Sequence, residues 1–269
     1  MKVFISADIE GTTLTTYWDQ TEINVPKNYA NTLPNAMQMT AEVKAACEGA
    51  IAAGATEIVV KDSHDCAVNM DITQFPECVQ TVRNWSGSYM GMVTGVDESF
   101  DAVLFVGYHA AAGRPGNPLS HTHTSRTTRI RLNGLVCSEF LLYSWACAQL
   151  GVPTVFLAGD KMLTEDSQGL HPMLKTVAVK DGFGGSIRSL HPKVACDRIR
   201  ATVTEALSQD LSKALCKVPD HFELEISYKE HRDAVRRSFY PGMTFVGNNT
   251  IRMETDSLKD ILTAVQFVF

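Results

Sequence analysis

Lys2-Val-Phe-Ile-Ser-Ala-Asp8-Ile-Glu10-Gly11 decides how the rest of the chain is read. An apolar run of strand length stops at two carboxylates and a glycine, the form of a buried strand that delivers side chains to a sheet edge. Side chains two apart in an extended segment share a face, so Asp8 and Glu10 can enter one pocket. The form recurs: Glu57-Ile-Val-Val-Lys stops at Asp62-Ser-His64, and Asp101-Ala-Val-Leu-Phe-Val-Gly stops at Tyr108-His109. In open α/β sheets ligands bind beyond the carboxyl ends of the parallel strands. Asp8, Glu10, His64 and His109 are therefore expected to meet, joined by Glu139 at the start of a helix that Ser138 caps. Two imidazoles and three carboxylates suit zinc, and are enough for two ions sharing a carboxylate.

Each residue also has an ordinary structural explanation. Asp at a strand end is a common turn residue, a single His in such a loop is usually a satisfied loop side chain, and Glu139 complements the positive end of a helix dipole. The case for a metal site rests on several such ends sharing one sheet edge. Ser120-His121-Thr122-His123 lies in a loop leaving the same edge. Both histidines can be ligands, one can act as a metal-free general base or nucleophile, or the loop is simply solvated. Asp160, just past strand 154–158, is read as an acceptor for a ligand histidine or as a turn residue. Cys66 is read as a loop or buried thiol in preference to a ligand.

Outward from these motifs, residues 1–61 read as a βαβ unit. Its helix is capped by Asn35 and stopped at Gly54. Thr127–Leu132, Asn133-Gly134 and Leu135–Cys137 look like a hairpin, and residues 76–96 have no clear period. A Gly-rich linker is expected at 181–186, then a long helix from Pro192 to about Cys216, a strand at 222–228, a short basic helix, strands near 243–253 and a last helix from Asp256. The expected fold class is α/β, a mainly parallel sheet flanked by helices over residues 1–190 with a smaller C-terminal α+β lobe over 191–269.

The 269 residues are 45% hydrophobic and 20% charged, ordinary for a globular protein. A net charge of −6 argues against nucleic acid or an anionic membrane as partner. No apolar run approaches the ~20 residues of a membrane span, and the first strand is too short for a secretory apolar region. Seven cysteines without CxxC spacing suggest reduced thiols, hence a cytoplasmic location.

Taken in order, Ser6-Ala-Asp8-Ile-Glu10-Gly11, Lys61-Asp62-Ser63-His64, Gly107-Tyr108-His109-Ala110, Pro115-Gly116 through Ser120-His121, and Asn133 through Glu139-Phe140 resemble the D-aminopeptidases, zinc peptidase family M55. Ala158-Gly159-Asp160, Ala178-Val179-Lys180, Leu190-His191-Pro192 and Tyr240-Pro241-Gly242 extend the likeness over nearly the whole chain. The resemblance implies a dinuclear zinc site with Asp8, Glu10, His64, His109 and Glu139 as ligands and His121 as the catalytic histidine. It further implies removal of N-terminal D-amino acids from short peptides such as D-Ala-D-Ala, and a ring-shaped homo-oligomer. Thr12–Leu33 and Thr122–Arg131 depart from the family pattern. Two other readings stand beside it: a dinuclear hydrolase of another bond, such as a phosphoesterase, and a metal- or solute-binding module without turnover.

Overall fold

The first strand lies inside the main sheet, covered on both faces. The computed structural model describes residues 1–269. From the N-terminus, β1 (Lys2–Ala7) leads through a long loop to α1 (Tyr29–Ala52), β2 (Glu57–Asp62), β3 (Val79–Val82) and β4 (Ala102–Tyr108). The hairpin β5 (Thr127–Leu132) and β6 (Leu135–Val136) precedes α2 (Glu139–Gln149), β7 (Thr154–Asp160), α3 (Lys161–Asp166), β8 (Lys175–Phe183) and β9 (Ser186–Ser189). Then come α4 (Pro192–Leu207), β10 (Phe222–Tyr228), α5 (His231–Arg237), β11 (Met243–Gly247), β12 (Thr250–Thr255) and α6 (Leu258–Val268).

The main sheet has the order β3-β2-β1-β4-β7-β8-β9, parallel from β3 to β8 and closed by an antiparallel edge strand. Strand side chains alternate between faces: Val3 and Ile5 pack with Met39, Val43, Ile199 and Val203 on one side, while Phe4 joins Phe105 and Phe140 on the other. The chain winds outward from β1 to β2 and β3, then returns to place β4 on the opposite flank of β1. The β1/β4 crevice is thus the topological switch point, where such sheets bind ligands.

The second sheet, β11-β12-β10-β5-β6, is antiparallel and draws on two distant parts of the chain. Ile130 and Leu132 lie opposite Ile226 and Leu224. A lone hairpin is marginally stable, and pairing with β10 buries the apolar face of this one. Conversely, α4 packs against α1 and the main sheet, with Ala195, Ile199 and Val203 fully buried. The division expected at residue 190 is therefore crossed both ways: segment 127–136 lies with the C-terminal strands, and helix 192–207 with the core.

Other differences are local. Helix α1 starts at Tyr29, not after an Asn35 cap, and carries Pro34 within it. The Thr32 hydroxyl donates to the Asp19 and Asn28 carbonyls (2.9 and 3.1 Å), anchoring the turns that the proline weakens. Segment 181–186 is a tight hairpin between β8 and β9, turning at Gly184 with φ +58°. Helix α4 ends at Leu207, nine residues short of Cys216. The 133–134 turn has φ of +51° and +76°, as a two-residue hairpin with Asn-Gly requires. All seven cysteines are free thiols, and no helix is long and apolar enough to cross a membrane.

Candidate metal centre

Backbone contact between the ends of β1 and β4 builds the floor of the site. The amides of Asp8 and Gly11 donate to the carbonyls of Val106 and Gly107 (2.9 and 2.7 Å). A Cβ on Gly11 would stand 1.7 Å from the Tyr108 carbonyl oxygen, and one on Gly107, at φ +77°, 2.0 Å from that of Asp8. Only glycine lets the two strand ends close so far. Asp8 and Glu10 are thereby pressed toward His109.

Five expected ligands meet here, each buried. His64 Nδ1 lies 3.2 Å from Asp8 Oδ1 and 3.0 Å from Glu10 Oε2. His109 Nε2 lies 3.5 Å from Asp8 Oδ2 and 3.4 Å from Glu139 Oε2. Asp8 stands between the two imidazoles, one oxygen toward each. The far ring nitrogens are tied to backbone carbonyls: His64 Nε2 to Thr21 (2.8 Å), His109 Nδ1 to Ala110 (3.0 Å) and His121 Nδ1 to Leu119 (2.8 Å). Those carbonyls can only accept, so each tied nitrogen donates its proton outward; the inward nitrogens of His64 and His109 face the carboxylates, which favour a second proton there, a proton that a bound metal ion would replace.

Buried charge at this density needs compensation. Burial, aided by the charge of Glu10, pushes the Asp8 carboxyl up to about 8. For Glu10 burial is outweighed by His64, leaving it well below the usual carboxylate range. For Glu139 burial is outweighed by His109, leaving it at about 2. Burial likewise opposes protonation of His109, yet Glu139 and its neighbours hold it up at about 10. Asp8 Oδ2, Glu10 Oε2 and His109 Nε2 are buried without a hydrogen-bond partner, and one ligand atom from each of these residues falls within a 4.8 Å cluster. Convergent carboxylates and imidazoles, whose inward protons a divalent ion would replace, are a donor set that suits zinc.

His121 and His123 part company. The His121 ring stacks on His109 (centroids 4.4 Å, 8°), with Nε2 3.9 Å from Glu139 Oε1. Burial and the neighbouring His109 lower its pKa. His123, at φ +57°, turns away from the shared face that an extended segment would give. Its ring bonds the Tyr143 hydroxyl (3.0 Å), while its amide donates to Glu139 Oε1 (2.6 Å). It is a brace for the Glu139 carboxylate, not a solvated loop residue.

Several supports have roles that the sequence reading gave in part or not at all. Asp160 receives no histidine: it caps α3 through Leu163 and accepts from the Ala110 amide (2.7 Å) and Asn117 (3.1 Å), fixing the backbone beside His109. Lys180, fully inside the fold, donates to the carbonyls of Glu10 and Thr15. Its signals in the sequence were a lysine at the end of a buried strand run and its place in the Ala178-Val179-Lys180 stretch of the family resemblance. Asp62 orders loop 62–70 by accepting from Asn69 and Met70, and the Cys66 thiol faces Asn69.

Above the cluster opens a cleft of about 830 Å³, with Trp18, Thr21, Glu22, Asp65, Trp85 and Arg126 on its walls. Trp18 meets the His121 ring edge-on (5.1 Å, 70°). Trp85 is held by its indole donation to the Asp65 carbonyl (2.6 Å) and by Lys61 over its ring (4.4 Å).

A carboxylate–imidazole cluster under an open cleft, at the switch point of a parallel sheet, defines a metallohydrolase-like centre. Residues 1–267 match the sequence model of peptidase family M55, described as D-aminopeptidase, and the chain belongs to that family. A D-aminopeptidase of Bacillus subtilis (strain 168) is 29% identical over 271 residues, spanning 99% of this chain and 94% of that relative. Among solved structures, the Zn-dependent D-aminopeptidase DppA from Bacillus subtilis, a self-compartmentalizing protease, superposes with a TM-score of 0.89 at 23% identity. The match covers 100% of this chain and 96% of that one, and establishes the fold.

Proposed function

We propose that the chain is a zinc aminopeptidase that removes N-terminal D-amino acids from short peptides such as D-Ala-D-Ala, holding two zinc ions. The observation that carries this reading is the gathering of buried ligand atoms of Asp8, Glu10 and His109 within 4.8 Å of one another, in a member of the D-aminopeptidase family. His64 and Glu10 would hold one ion, His109 and Glu139 the other, and Asp8, with one oxygen toward each imidazole, both. When bound, zinc supplies acidified water near neutral pH and polarises a carbonyl. His121 is assigned the proton transfer: its Nδ1 is committed to Leu119, so Nε2 takes a proton on the cleft side and returns it to the leaving amine. Glu22 and Asp65 give the cleft a negative wall suited to a free amino terminus.

A phosphoesterase would gather arginines around its anion. Arg114 is instead paired with Asp166 (2.6 Å) and Arg129 lines a separate hollow, which leaves Arg126 as the one arginine on the cleft wall, among five carboxylates. Hydrolysis of D-Ala-D-Ala and L-Ala-L-Ala by the purified protein is the test. Cleavage of the D-dipeptide well ahead of the L-dipeptide is expected; equal rates, or no cleavage of the D-form, would reject the reading.

The ring-shaped homo-oligomer belongs to the same proposal. It is supported by the self-compartmentalizing relative and by bare aromatic surface, with Phe239 82% and Phe267 70% exposed and Tyr240 stacked on Phe267 (5.8 Å). Exposed aromatics of this size commonly mark subunit contacts. Light scattering at micromolar concentration should give a closed multiple of 29.5 kDa; the monomer mass alone would refute it.

A further inference from the structure

Five carboxylates line the cleft (Asp8, Glu10, Glu22, Asp65 and Glu139), and against them stands a single basic side chain other than histidine, Arg126. Beside so many acids even an exposed arginine can be paired with one of them. Arg126 is not: no carboxylate lies within ion-pair distance, and its guanidinium makes no hydrogen bond, in contrast to Arg131, which donates to the Gly134 carbonyl, and Arg252, which pairs with Glu223 and Glu254. Its backbone is nonetheless fixed. The Arg126 amide donates to Thr124 Oγ1 (3.3 Å), its carbonyl accepts from the Lys229 amide (2.8 Å), and Thr124 is bridged back to Thr122 (2.6 Å). A tethered main chain thus holds a free guanidinium on the wall of an otherwise acidic cleft.

We propose that Arg126 recognises the C-terminal carboxylate of the substrate, so that the site selects short peptides with a free C-terminus. This rests on the aminopeptidase reading and deepens it. A short unblocked peptide is a zwitterion, and the cleft offers it a pole of each sign: carboxylates for the amino end and one unpaired guanidinium for the carboxyl end. The planar fork of the guanidinium matches a carboxylate with two parallel hydrogen bonds. The hydroxyls of Thr124 and Ser125 line the cleft beside it. A C-terminal amide removes the charge while keeping nearly the same shape, so it isolates this contact from every other part of recognition.

The experiment follows binding by indole fluorescence. Two of the chain's three tryptophans, Trp18 and Trp85, line the cleft, while Trp145 is buried against Phe222 and gives a constant background. D-Ala-D-Ala and its C-terminal amide are titrated into the zinc-loaded protein carrying His121→Ala, which slows turnover, and into the same protein with Arg126→Ala or Arg126→Lys added. The free acid should bind about 10–100-fold tighter than the amide, the range expected for a hydrogen bond to a charged group. That preference should vanish with Arg126→Ala and survive in part with Arg126→Lys. Because the Arg126 side chain is exposed and bonds nothing, neither replacement threatens the fold. A preference that persists in Arg126→Ala, no preference in the parent, or no binding of either peptide would overturn the proposal. Discrimination by the His121→Ala protein, with no hydrolysis of D-Ala-D-Ala by the unmodified enzyme, would sink the peptidase reading and leave the carboxylate site standing. Hydrolysis without discrimination would do the reverse.

Discussion

Replacing His121 with alanine is expected to lower D-Ala-D-Ala turnover by ~10²–10⁴-fold, the usual worth of a positioned proton-transfer group, while metal content and fold remain. His121 opens further to the cleft than the ligands, with its side chain 13% exposed against 1% for His109 and 8% for His64. It leans on His109 by ring stacking and stands 3.9 Å from Glu139, longer than the contacts joining His64 and His109 to the carboxylates. A competing possibility has a geometric basis, because His121, His109 and Glu139 can also present ligand atoms within 4.8 Å of one another. Metal content measured on the kinetic samples separates the two: zinc lost in step with activity makes His121 a ligand. His123→Ala is the control. It removes the bond to Tyr143 but keeps the backbone amide that holds Glu139, so it should cost about 1 kcal/mol of stability and little activity. An active His121 variant beside a dead His123 variant would exchange their roles.

The His64→Ala, His109→Ala double variant should lose its metal and with it all measurable hydrolysis. Both imidazoles enter the cluster already oriented by the Thr21 and Ala110 carbonyls, and ligands lacking such support typically lose 10–100-fold in metal affinity. Removing the ligands themselves exceeds that loss. What remains is three buried carboxylates, Asp8, Glu10 and Glu139, with no imidazole on either side of Asp8. Asp8, already driven upward by burial, is then the group expected to hold a proton in place of the metal. Circular dichroism of the variant should stay near that of the parent, since both side chains sit at strand ends beyond the packed core.

The sheet and the cluster were legible for a common reason. A strand buried on both faces has to be a continuous apolar run, so the polar residues that end it are conspicuous, and chain direction alone sends Asp8, His64 and His109 to one edge. Glu139 could be read as a helix-dipole residue and a ligand at once, and in the structure it occupies the first turn of α2 and faces His109. The composite second sheet was not legible, because pairing of 127–132 with 222–228 depends on contacts some ninety residues apart that leave no local period. Pro34 hid the start of α1, whose first turns are tied down by the Thr32 hydroxyl donating to the Asp19 carbonyl outside the helix. The braces were the least visible part: Asp160, Asn117, Lys180 and His123 act through backbone groups whose positions exist only after folding. Arg126 shows its meaning only once the cleft reveals what it is not paired with.

The central claim is that Asp8, Glu10, His64, His109 and Glu139 form a zinc-binding centre. Elemental analysis of the purified native protein beside the His64→Ala, His109→Ala double variant tests it most directly. The proposed function predicts zinc approaching two ions per native chain and next to none in the variant. Equal zinc in the two proteins would contradict it.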